Sequence, residues 1–97
     1  MYKFVISIGL KPGALEQILQ RAPEVQRLTR AEAGCLAYDF FTCTDDPDRL
    51  VFTECFVSKE AHALHCEQQY TKEFIAFHEQ FHVSFTFERI ETNNSQH

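Results

Sequence analysis

The chain predicts an α+β fold, in which an antiparallel four-stranded sheet carries its helices on one face. Three observations lead there. Segments that alternate apolar and polar residues are separated by segments with helical spacing. The acidic turn Asp45-Asp46-Pro47-Asp48 joins two alternating segments directly, which makes them an antiparallel hairpin. The first and last elements alternate as well, so strands open and close the domain.

Tyr2 to Gly9 sets Tyr2, Phe4, Ile6 and Ile8 against Lys3, Val5, Ser7 and Gly9, a strand with one strongly apolar face. Lys11-Pro12-Gly13 is a turn. From Ala14 to Ala31 the apolar positions Leu15, Ile18, Leu19, Ala22, Val25 and Leu28 recur at helical spacing. Pro23 falls inside that pattern, and its missing donor predicts a kink or a split. Gly34 is the expected stop. Cys35 to Cys43 is a second strand and Leu50 to Val57 a third. Ser58 caps a helix that carries Ala61, Leu64 and His65 on one face. A further helical stretch from about Thr71 to His82 aligns Phe74, Phe77, His78 and Phe81. Val83 to Ile90 alternates again as a fourth strand. The order β-α-β-β-α-β is the ferredoxin-like arrangement. Residues 1–92 read as one domain and residues 93–97 as a polar tail.

The chain has 97 residues, ten of them Phe and none Trp. So much Phe, with apolar residues on both faces of the third strand, predicts that one sheet face packs on a second copy of the chain. The net charge is -5 and the nine Lys and Arg residues are scattered. That argues against a nucleic-acid partner. No apolar run reaches membrane-spanning length. The N-terminus has no signal-peptide core, so the expected compartment is the cytosol. Cys35, Cys43, Cys55 and Cys66 form no C-x-x-C pair and read as buried free thiols.

Several short segments, taken together, resemble the antibiotic biosynthesis monooxygenase family, which includes small cofactor-free quinol monooxygenases. They are Lys11-Pro12-Gly13, then Arg30-Ala31-Glu32-Ala33-Gly34-Cys35-Leu36 with Tyr38 following. Asp46-Pro47-Asp48-Arg49, Phe52-Thr53-Glu54, Ser58-Lys59-Glu60-Ala61 and His65 complete the set. The resemblance implies a homodimer of the dimeric α/β-barrel type and a pocket between sheet and helices. It also implies oxidation of a small aromatic by molecular oxygen without a cofactor or metal. Two positions depart from the family pattern. Tyr70 stands where a second histidine is usual, and Phe56 where Trp is frequent. Haem-degrading relatives use an Asn, His and Trp set. This chain has no Trp and carries Asn only at Asn93 and Asn94, so that role is excluded.

Oxygenase chemistry of this kind needs an apolar cavity, a general base and a donor for the developing oxyanion. His65 is the first candidate for the base, since imidazole titrates near neutrality. The competing reading is a histidine that hydrogen-bonds backbone at a packing surface. Glu54 lies mid-strand among apolar residues and needs a partner if buried, either as a catalytic group or as a structural ion pair. Tyr70 is a third catalytic candidate. Tyr38, Phe52, Phe74 and His78 are the expected substrate-binding residues, with core packing as the alternative for Tyr38. His78-Glu79-Gln80-Phe81-His82 matches the H-E-x-x-H zinc motif, but it sits at a helix end with no third ligand in view, so no metal is expected. Two other functions stay open. One is isomerisation of a small phosphorylated dicarbonyl, anchored by Lys11, Arg49, Lys59 or Lys72. The other is a non-catalytic dimeric binding module.

Overall fold

The computed structural model describes residues 1–90, so the expected tail lies outside the described residues. The elements are β1 (Tyr2–Leu10), α1 (Ala14–Arg30), β2 (Cys35–Cys43), β3 (Asp46–Phe56), α2 (Lys59–Glu67), α3 (Gln69–Glu79) and β4 (His82–Ile90). The sheet order is β2-β3-β1-β4, with every neighbouring pair antiparallel. This is the expected ferredoxin-like α+β arrangement.

All three helices lie on one face. The stripe Ala14, Ile18, Ala22, Val25 and Thr29 of α1 is buried. It packs with Ile8, Leu10, Tyr38, Leu50, Phe52 and Phe74 into one core. Ile18 and Leu50 are fully buried, and each such side chain stabilises by about 1.5–3 kcal/mol. Strand alternation then sends Val5, Ser7, Phe41, Val51, Thr53 and Cys55 to the opposite face. No helix among the described residues covers that face.

Pro23 does not divide α1, which runs unbroken from Ala14 to Arg30. The reason is its position. Pro23 and Leu19, whose carbonyl loses its donor, both sit on the exposed side, where water takes over. The buried stripe is untouched. β3 begins at Asp46 and not at Leu50, so the acidic stretch expected as a turn is mostly strand. Asp46 organises it by accepting from the Asp48 N–H at 3.0 Å and from Arg49 Nε at 3.3 Å. The bulge at Thr42/Cys43 absorbs the surplus residues of β3, Pro47 among them. Asp48 Oδ1 in turn accepts the Gly13 N–H at 3.4 Å, where α1 starts at a glycine with φ 83°.

The last helix is also shorter than its periodicity suggests. Gln68 is extended between α2 and α3, and α3 stops at Glu79. The Phe81 carbonyl accepts the Lys11 N–H at 2.9 Å, which binds the end of α3 to the end of β1. His82 therefore opens β4. A bulge at Gly9/Leu10 sets it opposite Leu10, on the helix-bearing face.

Gly34 is the tightest point between the α1–β2 loop and α2. A Cβ there would collide with Cβ of Ala61. Gly34→Ala is expected to destabilise the fold by about 1–3 kcal/mol through overpacking, measured by urea unfolding. Adding Ala61→Gly should recover part of the loss. Equal additive losses in the double variant would contradict the steric account.

Candidate active site

The helices cover β2, β3 and β1 but leave β4 bare. Phe85 and Phe87 of β4 are 51% and 46% exposed although they face the helix side. A cavity of about 220 Å³ results between α2, α3 and the sheet. Its walls are mainly aromatic, from Phe4, Phe52, Phe74, Phe85 and Phe87. Its polar groups come from Tyr38, Glu54, His62, His65, Thr71 and His78, with Glu79 and His82 nearer the exposed edge.

His65 is buried at the end of α2, and its ring lies 5.1 Å from Phe56 and 5.6 Å from Tyr38. Its Nδ1 is 2.9 Å from Oε2 of Glu32, in the loop after α1. A carboxylate only accepts, so Nδ1 donates this bond and Nε2 is the ring nitrogen turned toward Glu54. The same Glu32 oxygen accepts from the Tyr70 hydroxyl of α3. Tyr70 also reaches the Leu28 carbonyl at 3.4 Å. Tyr70 is absent from the cavity wall. Its contact with His65 runs through Glu32.

Nε2 of His65 lies 3.8 Å from Oε1 of Glu54, too far for a direct hydrogen bond. Glu54 sits between Phe4 and Tyr38 in the sheet register. Its Oε1 is buried with no hydrogen-bond partner among the described residues. Burial first, and the charge of Glu32 second, push its pKa up to about 8. At neutral pH Glu54 is therefore mostly a neutral acid and a donor. His78 Nε2 is likewise buried and without a partner. Burial, reinforced by His82, pulls the His78 pKa down to about 4, so its ring is neutral. An unsatisfied buried polar atom costs about 1–3 kcal/mol. Two of them on one apolar cavity wall point to a ligand that supplies the missing partners. Tyr38 is held un-ionised, chiefly by burial and then by Glu54.

Among the described residues no group of three or more His, Cys, Asp or Glu side chains is placed to hold a metal ion. His78 and His82 of the H-E-x-x-H motif do meet, with Nδ1 and Nε2 2.9 Å apart. No helix among the described residues is long and apolar enough to cross a membrane.

The family model for antibiotic biosynthesis monooxygenases matches residues 1–80. The chain belongs to the antibiotic biosynthesis monooxygenase family. A crystal structure of an antibiotic biosynthesis monooxygenase aligns at 26% identity with a TM-score of 0.88, over 96% of this chain and 99% of that one. A protein from Shewanella oneidensis aligns at 27% identity and a TM-score of 0.85, over 94% of this chain and 89% of that one. A protein from Nitrosomonas europaea shares the fold at 17% identity and a TM-score of 0.88, over 95% and 98% of the two chains. No curated protein matches the sequence.

Of the residues singled out from sequence in this monooxygenase-family chain, His65, Glu54, Tyr38, Phe52, Phe74 and His78 all line the cavity. Sequence reasoning gave no role to Glu32, the residue that bonds His65 Nδ1. The available signal was its place in the segment Arg30 to Leu36, two residues before the glycine on which α2 packs. Phe85, Phe87 and His82 were also missed as cavity residues. Their exposure to it depends on which strand the helices leave uncovered.

Burial makes a testable signature in stability. A carboxyl whose folded pKa is raised binds more protons folded than unfolded between about 4.5 and 8, so Glu54 lowers stability as pH rises through that window. His78, depressed from 6.5 to about 4, contributes the opposite slope below about 6.5. The two oppose each other at acid pH, and only the Glu54 slope remains from about 6.5 to 8. Urea midpoints should therefore fall across that range in the native protein and fall less in Glu54→Gln. An identical slope in both would place the titrating group elsewhere.

Proposed function

We propose that the protein is a cofactor-independent monooxygenase that oxidises a small phenol or quinol with molecular oxygen in this cavity. One observation carries the reading. A buried imidazole, oriented by a carboxylate on Nδ1, turns its free Nε2 toward a neutral acid across an apolar space. The volume supports a small substrate, since a cavity of about 150 Å³ takes up benzene. About 220 Å³ suits one or two fused rings.

Each residue then has a part. His65 Nε2 takes the phenolic proton, and the Glu32 charge stabilises the imidazolium that forms. Tyr70 holds Glu32 in place from the far side. The phenolate passes one electron to oxygen, and the resulting radical and superoxide combine at a ring carbon as a peroxide. The imidazolium returns its proton to the peroxide, and His65 then takes that carbon's proton as the O–O bond breaks, which leaves a carbonyl. Glu54, the neutral acid, gives the departing hydroxide a proton so that it leaves as water, and the proton on His65 passes to Glu54, 3.8 Å away. One oxygen atom enters the ring and the other leaves as water, so phenol-type substrates become quinones with no further reductant. Phe52, Phe74 and Tyr38 hold the ring.

The cavity wall argues against the phosphorylated dicarbonyl. Among the described residues lining it there is no Lys or Arg, while Glu54 and Glu79 are both present. A phosphate would meet carboxyl groups without a cation to anchor it.

We also read the protein as a homodimer that joins two copies across the face opposite the helices, where Val5, Phe41, Val51 and Cys55 lie. Phe41 is 50% exposed on a sheet face with no helix over it, an arrangement expected of a packing surface.

Oxygen uptake by metal-free protein with a panel of phenols and quinols tests the activity. His65→Ala should lower kcat by about 10²-fold or more. An active His65→Ala protein, or no uptake across the panel with the native chain, would sink the assignment. Light scattering should give twice the chain mass for the native protein and a single chain for Phe41→Glu. A native monomer would remove the dimer.

A further inference from the structure

The oxygenase reading uses one end of the cavity and leaves the His78–His82 pair without a task. His78 is 3% exposed and lines the cavity from the last turn of α3. Its Nε2 has no partner among the described residues. Its other nitrogen, Nδ1, lies 2.9 Å from His82 Nε2. The two rings are nearly parallel, at 17°. His82 is half-buried and belongs to the edge strand that no helix covers. It reaches the helix side only because of the bulge at Gly9/Leu10. Phe85 stacks on it at 5.6 Å and 18° and holds the ring in place. An imidazole chain thus begins at an unsatisfied atom in the cavity and ends at the edge of the protein.

We propose that the His78–His82 pair is a proton outlet, in which His78 Nε2 meets a second oxygen on the substrate ring and His82 hands that oxygen's proton to solvent. The inference rests on the oxygenase reading and deepens it, because it assigns the distal oxygen of a para-diol to His78. His65 and Glu54 serve the proximal oxygen. The family match ends at residue 80, so His82 falls outside the matched segment.

The proton accounting is simple. A para-diol and oxygen give the anion of a hydroxyquinone, water and one proton, and the distal hydroxyl becomes a carbonyl. Its electrons stay with the ring and pass to oxygen. Its proton moves to His78 Nε2 while the Nδ1 proton of His78 moves to His82 Nε2, and His82 releases its own Nδ1 proton to water. One proton leaves the substrate and one appears in solvent. When product departs, water admitted to the cavity removes the Nε2 proton of His78, and His82 restores the one on Nδ1 while its own Nδ1 takes a proton from solvent. The exposed Glu79, whose charge acts on His82, favours the transient imidazolium at the outer end.

The test compares naphthalene-1,4-diol with 1-naphthol in oxygen uptake by the intact protein. His78→Phe should lower the ratio of kcat/KM for diol over naphthol roughly tenfold, the scale of one lost hydrogen bond. His82→Ala should lower kcat on the diol more than it moves KM, and added imidazole should restore kcat. Equal losses on both substrates in His78→Phe, or no imidazole rescue in His82→Ala, would overturn the outlet and leave the pair as packing. Calorimetric binding of 1,4-naphthoquinone and 1-tetralone separates this proposal from the activity itself. If the native protein consumes no oxygen with either substrate, the oxygenase reading and the outlet's proton transfer fall. The distal-oxygen contact still stands if His78→Phe weakens the quinone roughly tenfold more than the tetralone, and falls if both weaken alike.

Discussion

One carboxylate oxygen ties the helical layer together. Oε2 of Glu32 accepts from His65 of α2 and from Tyr70 of α3, while Glu32 itself hangs on the loop that links α1 to the sheet. Two successive helices and a loop some thirty residues before them therefore share one acceptor. Gly34, two residues on, lets α2 approach closely enough for the contact to form. Packing alone would tolerate some sliding of α2 over the hairpin. A buried charge-assisted hydrogen bond does not, because the carboxylate would lose its donors without gaining water. The interaction that orients His65 is thus also one that sets the helix carrying it.

Uneven coverage makes the cavity. Three helices on a four-stranded sheet of this order lie over β2, β3 and β1. β4, an edge strand, stays open on the helix side and contributes Phe85 and Phe87 as a greasy lip. The polar groups then divide by burial. Glu54, His65 and His78 are buried, and His82 and Glu79 meet solvent. Electrostatic consequences follow that division, with burial keeping Glu54 protonated and His78 unprotonated near neutrality.

Much of this was legible in the sequence. Every element was visible in its periodicity, because strand alternation and the α1 stripe record which side is dry. Pro23 misled, since the rule against proline in helices acts through a lost hydrogen bond, and its cost is small where water replaces the donor. The start of β3 misled for a related reason. Asp46-Pro47-Asp48 has turn chemistry, and a bulge lets that chemistry continue inside a strand. Most cavity residues could be named because they are polar residues interrupting apolar stripes, as Glu54 interrupts Phe52 and Phe56. Glu32 could not, because a carboxylate in a loop is ordinarily solvated. Its role depends on where α2 and α3 pass, and that is a tertiary fact.

The charge balance of the buried end limits what the cavity can accept. The cavity wall holds Glu54, a carboxyl kept neutral by burial and then by Glu32, which bonds His65 from outside the lining. A substrate that arrives as an anion brings its charge into a poorly solvated space beside Glu54 and Glu79, and among the described residues no Lys or Arg lines the wall to offset it. A neutral phenol brings none. In the proposed reaction it becomes an anion by giving its proton to His65, and the imidazolium then stands beside the new charge. The net charge of the cavity is the same before and after that transfer, so desolvation opposes the step far less than it opposes entry of a preformed anion. The walls therefore select for substrates that carry their acidity as an un-ionised hydroxyl, independently of ring shape.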